Sequence, residues 1–215
     1  MPNPETSCRL YLISPAKINL DEFAPRLEAA LGVGDVAAFQ LRLKPADDEE
    51  IYQAAETLLP ICHKFHVPLI LNDSMDLARD VGADGVHLGQ SDGSVAEARA
   101  KLGLDAMIGV TCHNSRHLAF LAGDAGADYV AFGAFFPTKT KATEFTAKPE
   151  LLEWWSDISE VPVVAIGGII PENCLALITA GAHFLAVSSG VWDHPGGPGE
   201  AVKAFNKLMA RHSPG

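Results

Sequence analysis

Two aspartates stand where two short apolar runs end, and together they can hold a metal ion. Asp73 closes the run 68–73, and Asp92 lies just beyond the run 85–90. If these runs are neighbouring strands, they lie about 5 Å apart, so both carboxylates can face one ion. Carboxylates, waters and diphosphate oxygens are the ligands that Mg²⁺ prefers. The pair indicates metal-assisted chemistry on a diphosphate.

Each aspartate also has a structural explanation. Asp73 can cap a helix beginning near Ser74, and Asp92 can cap one beginning near Ser94; a lone Asp in such a place is more often a cap. Adjacent strand residues point to opposite faces, so Asn72 and Asp73 serve one site only if the strand has begun to turn there. The sequence leaves both interpretations open.

The run 36–43 and the residue after it carry a polar face. Gln40, Arg42 and Lys44 alternate with Leu41 and Leu43, so the polar side chains share one side of a strand. Buried charges are costly unless they are paired. We therefore expect this face to point toward an anion rather than into a plain core.

Two later runs end in residues suited to phosphate. The run 162–168 ends in Gly167-Gly168, and the run 184–190 ends in Ser188-Ser189-Gly190. Exposed amides and hydroxyls bind phosphate, and barrels often place such a pocket after strands seven and eight. A glycine pair alone more often only makes a tight turn.

The loop 136–147 alternates hydroxyl and ammonium groups. Thr138, Thr140 and Lys141 can reach anionic oxygens, whereas Lys139 is expected to face solvent. The alternative is a simple solvated loop. If the reaction excludes water, this loop is the natural lid.

His87 and Cys112-His113 suggest a zinc or nucleophile site. We disfavour it because adjacent strand residues diverge and no second ligand lies at normal spacing. Thr111, Asn114 and Ser115 are instead expected to offer hydrogen bonds to a polar ring.

Eight apolar runs must position these residues. They alternate with segments of helical spacing, which predicts a single-domain α/β (β/α)8 TIM barrel over residues 1–215, with 1–8 a flexible extension. An open doubly wound sheet fits less well, because it usually has fewer strands. The runs are 9–14, 36–43, 68–73, 85–90, 107–112, 129–136, 162–168 and 184–190.

A short phrase recurs before three of the runs. It reads Gly-Ala-Asp at 82–84 and 126–128 and Gly-Ala-His at 181–183. Glycine can end a helix in the left-handed conformation before the next strand. The phrase therefore predicts helix-to-strand turns at the end opposite the site.

Composition limits the partners. With 215 residues and a net charge of −11, the chain is a poor match for nucleic acid or a membrane surface, since both are polyanionic. Its four cysteines lack paired spacing, and residues 1–6 show no signal segment, so we expect a cytoplasmic protein with free thiols. Barrels often self-associate, so a homo-oligomer is an open expectation.

Five segments together resemble one family. Residues 40–44, 72–73, 87–92, 137–141 and 166–169 occur in an order and composition similar to thiamine-phosphate synthase, from the second strand to the eighth. The resemblance implies a Mg²⁺-dependent transferase that joins hydroxymethylpyrimidine diphosphate to hydroxyethylthiazole phosphate and releases diphosphate. The protein would position two small molecules and stabilise departing charge, without a protein nucleophile.

The resemblance also implies roles for individual residues. Asp73 and Asp92 would hold Mg²⁺, Lys44 and Lys141 would draw off charge, and Thr111 would lie beside the pyrimidine. Further pyrimidine diphosphate contacts would come from Gln40, Arg42 and Asn72, and thiazole phosphate contacts from Thr138, Thr140, Gly168, Val187, Ser188 and Ser189.

Two positions depart from the family pattern. The family often has Glu at the place of Leu43 and Ser at the place of Thr111. Leu43 lies off the polar face, and Thr111 keeps a hydroxyl but adds a methyl group. The alternatives are a thiazole tautomerase-like paralogue, a non-catalytic phosphate-ligand binder and another phosphosugar-handling barrel.

Overall fold

A closed barrel of eight parallel strands forms the centre of the chain. The computed structural model describes residues 8–138 and 145–212. The strands pair in sequence order, and β8 closes onto β1, which confirms the predicted TIM barrel. The strands are β1 (Arg9–Ile13), β2 (Val36–Leu41), β3 (Leu69–Asn72), β4 (Gly85–Leu88), β5 (Met107–His113), β6 (Tyr129–Gly133), β7 (Val163–Ile166) and β8 (Phe184–Val187).

Helices cover the outside of this barrel. They are α1 (Leu20–Leu31), α2 (Asp48–Lys64), α3 (Met75–Val81), α4 (Val95–Leu102), α5 (Arg116–Asp124), α6 (Glu150–Ile158), α7 (Leu175–Thr179), α8 (Ser189–Trp192) and α9 (Pro198–His212). Among the described residues, no helix combines the length and apolar character needed to cross a bilayer.

All eight predicted strands are confirmed, but most end earlier than their apolar runs. The runs predicted to end at 43, 136 and 190 stop at Leu41, Gly133 and Val187. Beyond these points the chain leaves the ladder: after Val187, for example, it enters the short helix α8. Apolar residues at the carboxyl end therefore line loops and a cavity rather than the sheet.

Alternating strand residues divide the apolar side chains between two cores. Leu10 and Leu12 of β1 face outward and pack in the layer beneath the helices. Tyr11 and Ile13 face inward, into the barrel. The inward cluster is small, comprising Tyr11, Ile13, Ala38, Ile70, Tyr129, Ala131, Val164 and Ala186. Polar side chains therefore fill part of the interior.

The recurring phrase forms the predicted turns at the amino end of the barrel. Gly82, Gly126 and Gly181 have φ values of 67°, 85° and 91°. Side chains with a β-carbon rarely adopt this conformation, so glycine suits all three positions. These values confirm the predicted role of the phrase.

The last residue of each phrase bonds to the backbone of the preceding strand. Asp84 accepts from the amide of Leu69 at 2.7 Å, and Asp128 accepts from that of Ile108 at 2.7 Å. His183 Nδ1 accepts from the amide of Val163 at 3.3 Å. We call these three contacts the amino-end bonds. They tie β3, β5 and β7 to the turns that lead into β4, β6 and β8.

Candidate active site

The two aspartates meet at the carboxyl end of β3 and β4. Asp73 has a φ of 67°, so the chain has already turned away from β3, as sharing a site with Asn72 requires. Its amide donates to the carbonyl of His87 at 2.8 Å, which fixes this turn against β4. The Asp73 and Asp92 side chains are hydrogen-bonded to each other. The turn thus brings the two carboxylates together.

Neither aspartate is a helix cap. Ser74 caps α3 by accepting from the amide of Leu77 at 3.2 Å. Ser94 caps α4 in the same way, and Glu97 completes a capping box with it. The capping explanation is therefore wrong at both positions, because the neighbouring serine satisfies the helix amides and leaves each carboxylate available.

Asp73 and Asp92 have pKa values shifted in opposite directions. Burial raises the pKa of Asp73; the neighbouring Asp92 adds to this rise, while the Lys44 ammonium opposes it. Burial also disfavours the charged form of Asp92, but hydrogen bonds from Asp73, the Gly89 amide and Ser91 outweigh it and lower the pKa. Asp73 therefore takes up a proton before Asp92 as the pH falls.

The predicted polar face of β2 does point into the site. The Lys44 ammonium forms an ion pair with the Asp73 carboxylate. Arg42 lines the adjoining cavity; burial lowers the pKa of its guanidinium, and the charge of Asp73 partly offsets this effect. Gln40 is buried inside the barrel and donates from Nε2 to Asn72 Oδ1 at 2.8 Å. Two cationic groups thus face the carboxylate pair.

A cavity of about 500 Å³ opens beside this cluster. Its volume lies in the range of small-molecule sites. Seven of the predicted substrate-binding residues line it, namely Arg42, Thr111, Thr138, Gly168, Val187, Ser188 and Ser189. Ile13, His113, Ala134, Phe145 and Ile166 add an apolar and aromatic wall that the sequence did not indicate.

The loops after β7 and β8 form one side of the cavity. Gly168 has a φ of 65°, and a β-carbon there would overlap the backbone of Phe136 and Pro137. Asn173 braces this loop, since its Nδ2 donates to the Gly168 carbonyl at 3.0 Å and its Oδ1 accepts from the Ile170 amide at 2.9 Å. We missed Asn173; its spacing of three residues from Ile170 is the available signal.

Two of the predicted phosphate contacts, Val187 and Ser188, also have structural roles. The Val187 side chain packs in the outer core, so its backbone is what faces the cavity. The Ser188 hydroxyl donates to the carbonyl of Ser14 at 3.1 Å and ties the end of β8 to the end of β1. Ser188 can therefore offer a ligand its lone pairs and backbone, while its hydroxyl proton is engaged.

The loop after β6 is described at both stems. Thr138 lines the cavity, whereas Thr140 and Lys141 lie outside the described residues. At the second stem, the ring centroids of His113 and Phe145 lie 4.3 Å apart. Asn114 Nδ2 donates to the Thr146 carbonyl at 3.1 Å.

Asn114 and Ser115 each have a structural partner that the sequence did not indicate. Asn114 supports the loop stem through its contact with Thr146. Ser115 caps α5 by accepting from the amide of Leu118 at 3.2 Å. Both lie beyond the end of β5, where the chain has turned toward the next helix. Thr111 is the member of the predicted trio that faces the cavity.

A chain of hydrogen bonds crosses the barrel interior below the cavity. The Tyr11 hydroxyl donates to Gln40 Oε1 at 3.3 Å and lies 2.9 Å from the Tyr129 hydroxyl. His87 Nδ1 is 3.1 Å from the Tyr129 hydroxyl, and His87 Nε2 is 2.8 Å from Thr111 Oγ1. With Gln40 bonded to Asn72, the chain takes one residue from each strand from β1 to β6.

Half of this chain was not predicted from the sequence. His87 was considered as a zinc ligand or nucleophile, and Tyr11 and Tyr129 were not singled out. Cys112, the other zinc candidate, packs in the outer core, where burial raises the pKa of its thiol to about 12. The signal was strand parity: Tyr11, His87 and Tyr129 occupy inward positions beside others already known to be polar.

Comparison with known proteins gives one consistent result. The family model described as thiamine monophosphate synthase matches residues 10–191. A thiamine-phosphate synthase of Rhodospirillum centenum is 58% identical over 204 residues, covering 95% of this chain and 99% of the relative. That of Erythrobacter litoralis is 54% identical, covering 98% and 99%. The solved thiamine phosphate pyrophosphorylase of Pyrococcus furiosus superposes with a TM-score of 0.83 at 28% identity, covering 98% and 99%.

Proposed function

Since the chain belongs to the thiamine-phosphate synthase family, and thus to the pyrimidinylmethyl transferases, we propose a specific division of its site. Hydroxymethylpyrimidine diphosphate binds between the carboxylate pair and Thr111, and hydroxyethylthiazole phosphate binds at the loops after β6, β7 and β8. The observation that carries this proposal is the position of Arg42. Arg42 lines the cavity, and its guanidinium lies near enough to Asp73 for the carboxylate charge to oppose the lowering of its pKa by burial. The two subsites therefore adjoin.

The residues present suit Mg²⁺. Asp73 and Asp92 supply only oxygen atoms, the donors that this hard cation prefers. Two carboxylates this close repel each other when both are ionised, and Lys44 forms an ion pair with Asp73. We propose that both aspartates hold Mg²⁺, which when bound would help neutralise the diphosphate. The remaining coordination positions would be open to substrate oxygens and water.

The described side chains supply binding and charge neutralisation. Lys44 and Arg42 face the diphosphate and stabilise the negative charge that grows as it leaves the pyrimidine methylene carbon. The thiazole nitrogen then attacks that carbon, and the cavity holds both rings in reach of each other. Thr138 and the loop around Gly168 would hold the thiazole phosphate. Lys141 and Thr140 keep their proposed roles from the sequence.

A tautomerase-like paralogue is less well supported. Such a protein would need the thiazole phosphate subsite but not the carboxylate pair or its lysine. In this chain Asp73, Asp92 and Lys44 form one bonded group. The relatives at 58% and 54% identity are both named as synthases.

Four free, buried cysteines support one further part of the proposal. Unpaired thiols are typical of reducing compartments. We therefore propose that the enzyme works in the cytoplasm. A homo-oligomer stays an expectation, which light scattering of the purified protein can measure.

The decisive experiment supplies purified protein with both precursors, with and without Mg²⁺, and measures the thiamine phosphate and diphosphate formed. We expect the two products in equal amounts. Asp92→Asn should lower the Mg²⁺-dependent rate by at least about 100-fold, because a ligand is lost where charge develops. Asp35→Asn is the matched control, since Asp35 is an exposed carboxylate paired with Arg9 at the amino end of the barrel. Absence of product in the wild type would refute the synthase assignment, and an unchanged rate in Asp92→Asn would refute the metal role.

A further inference from the structure

We propose that Ser14 is a positioning residue for Arg42 in the synthase reaction. Its hydroxyl would fix the backbone from which the Arg42 side chain reaches the junction of the two subsites. Ser14 directly follows β1, is only 1% exposed, and is not part of the described cavity wall, so it acts through Arg42. The inference rests on the proposed division of the site, in which Arg42 stabilises the departing diphosphate.

The Ser14 hydroxyl holds Arg42 by both of its backbone polar groups. The Arg42 amide donates to Ser14 Oγ at 2.8 Å, and Ser14 Oγ donates to the Arg42 carbonyl at 3.1 Å. Both directions are fixed by the groups themselves, because an amide N–H only donates and a carbonyl oxygen only accepts. Arg42 is thereby held against the end of β1, although β2 has already ended at Leu41.

This pair of contacts replaces a bond of the parallel ladder. Ile13 lies opposite Gln40, and the Ser14 amide donates to the Gln40 carbonyl at 2.9 Å. If the ladder continued regularly, the Arg42 amide would next donate to the Ser14 carbonyl. That carbonyl instead accepts from the Ser188 hydroxyl at 3.1 Å. The Ser14 side chain therefore takes over the Arg42 amide, and the Ser14 carbonyl is released to hold the end of β8.

A further contact joins the same two chain segments. The Lys44 amide donates to the Ala16 carbonyl at 2.9 Å, and the Lys44 side chain forms the ion pair with Asp73. The end of β1 is itself held in place, since Trp192 Nε1 donates to the Ile13 carbonyl at 2.6 Å. Residues 14–16 thus form a fixed base for the backbone of both cationic residues that face the carboxylate pair.

Removal of the hydroxyl would leave Arg42 without this support. In Ser14→Ala the Arg42 amide and carbonyl both lose their partner, and a buried polar group without a partner is costly. The regular ladder acceptor, the Ser14 carbonyl, is already engaged by Ser188. The backbone at Arg42 must therefore shift to find new partners, and the guanidinium shifts with it.

The first test measures kcat and KM for thiamine phosphate formation. Ser14→Ala should lower kcat/KM for the pyrimidine diphosphate by about 10- to 100-fold, because misplacing a group by about 1 Å has an effect of that order. Ser14→Thr keeps the hydroxyl and should stay within about threefold of the wild type. The KM for thiazole phosphate should change less than about twofold in Ser14→Ala, since the carbonyl that holds Ser188 is retained.

A double-mutant cycle separates positioning of Arg42 from a general loss of structure. In an Arg42→Gln background the guanidinium is absent, so adding Ser14→Ala should change kcat/KM by less than about twofold. Effects that multiply in the double variant would overturn the proposal, as would a Ser14→Ala enzyme with wild-type kcat/KM.

Ser156→Ala is the matched control. The Ser156 hydroxyl also donates to a backbone carbonyl, that of Gly181 at 2.9 Å, but at the amino end of the barrel. This variant should lose stability in urea and keep the wild-type kcat/KM. A fall in kcat/KM equal to that of Ser14→Ala would show that loss of any such hydroxyl impairs the enzyme, and it would contradict the positioning role.

The second test needs no turnover. Calorimetric titration with inorganic diphosphate in the presence of Mg²⁺ should show binding at least about fivefold weaker in Ser14→Ala than in the wild type, since contacts to a charged group are weakened. Equal affinities would overturn the proposal, as would a wild type that binds no diphosphate. Because neither precursor is present, this result separates failure of the Ser14 role from failure of the proposed reaction.

Discussion

Removal of one amino-end bond should destabilise the barrel by a predictable amount. Asp128 Oδ2 accepts from the Ile108 amide and from Arg99, each at 2.7 Å. Asp128→Ala leaves the partly buried amide without its acceptor, which costs about 1–3 kcal/mol. It also removes a partly exposed ion pair worth at most about 1 kcal/mol. We expect a total loss of about 2–3 kcal/mol.

Asp128→Asn is the matched variant, because its amide oxygen can still accept from Ile108 while the charge is gone. It should cost at most about 1 kcal/mol. Urea unfolding followed by circular dichroism measures both values, and the Ala variant should melt about 4–12 °C below the wild type. Equal losses in the two variants would show that charge, and not the backbone contact, is what Asp128 contributes.

Three further predictions test the site and its surroundings. Gly168→Ala should raise the KM for thiazole phosphate at least about tenfold, since its β-carbon would overlap Phe136. Gly126 is the control, because it shares the positive φ but a β-carbon there would meet nothing within 4 Å. Gly126→Ala should cost only about 1–2 kcal/mol of stability and leave the KM unchanged. Burial lowers the pKa of His183 below the ordinary histidine value of about 6.5, so the unfolded chain binds the proton more readily. Stability should fall as the pH drops below about 6.5, and His183→Asn should reduce this fall in urea unfolding at pH 8 and pH 5; an identical pH dependence would contradict it. Burial also raises the pKa of Cys8, Cys62 and Cys112 to about 12 and that of Cys174 to about 11. Fewer than about one thiol in a thousand is ionised at pH 8, so native protein should resist a thiol reagent until urea exposes the cysteines, and rapid labelling of native protein would refute this.

The fold was predictable because its signals are local. Each strand is a short apolar run, and each recurring glycine marks a turn, so neither needs knowledge of distant residues. Strand ends were less well predicted. Beyond Leu41 and Val187 the side chains remain apolar or alternating, but the backbone leaves the ladder for tertiary reasons. The amino-end bonds were missed because each joins a turn to a strand that lies more than ten residues away in the chain.

The site was predictable where a residue type admits few uses. A polar face on a covered strand identified Gln40, Arg42 and Lys44, and the structure places all three toward the interior or the site. The capping question at Asp73 and Asp92 needed coordinates, because Ser74 and Ser94 compete for the same helix amides. Tyr11 and Tyr129 were missed because a tyrosine in a strand usually signals packing, and only its partners show a polar role.

The amino-end bonds have a consequence for how this enzyme can change during evolution. They join the barrel together at the end opposite the cavity, so cohesion and substrate choice depend on separate sets of residues. Mutations in the loops after the strands can then alter the ligand while the scaffold keeps its stability. Random libraries should consequently tolerate replacement at the cavity wall far better than at Asp84, Asp128 or His183, and new specificities can arise without a compensating repair elsewhere.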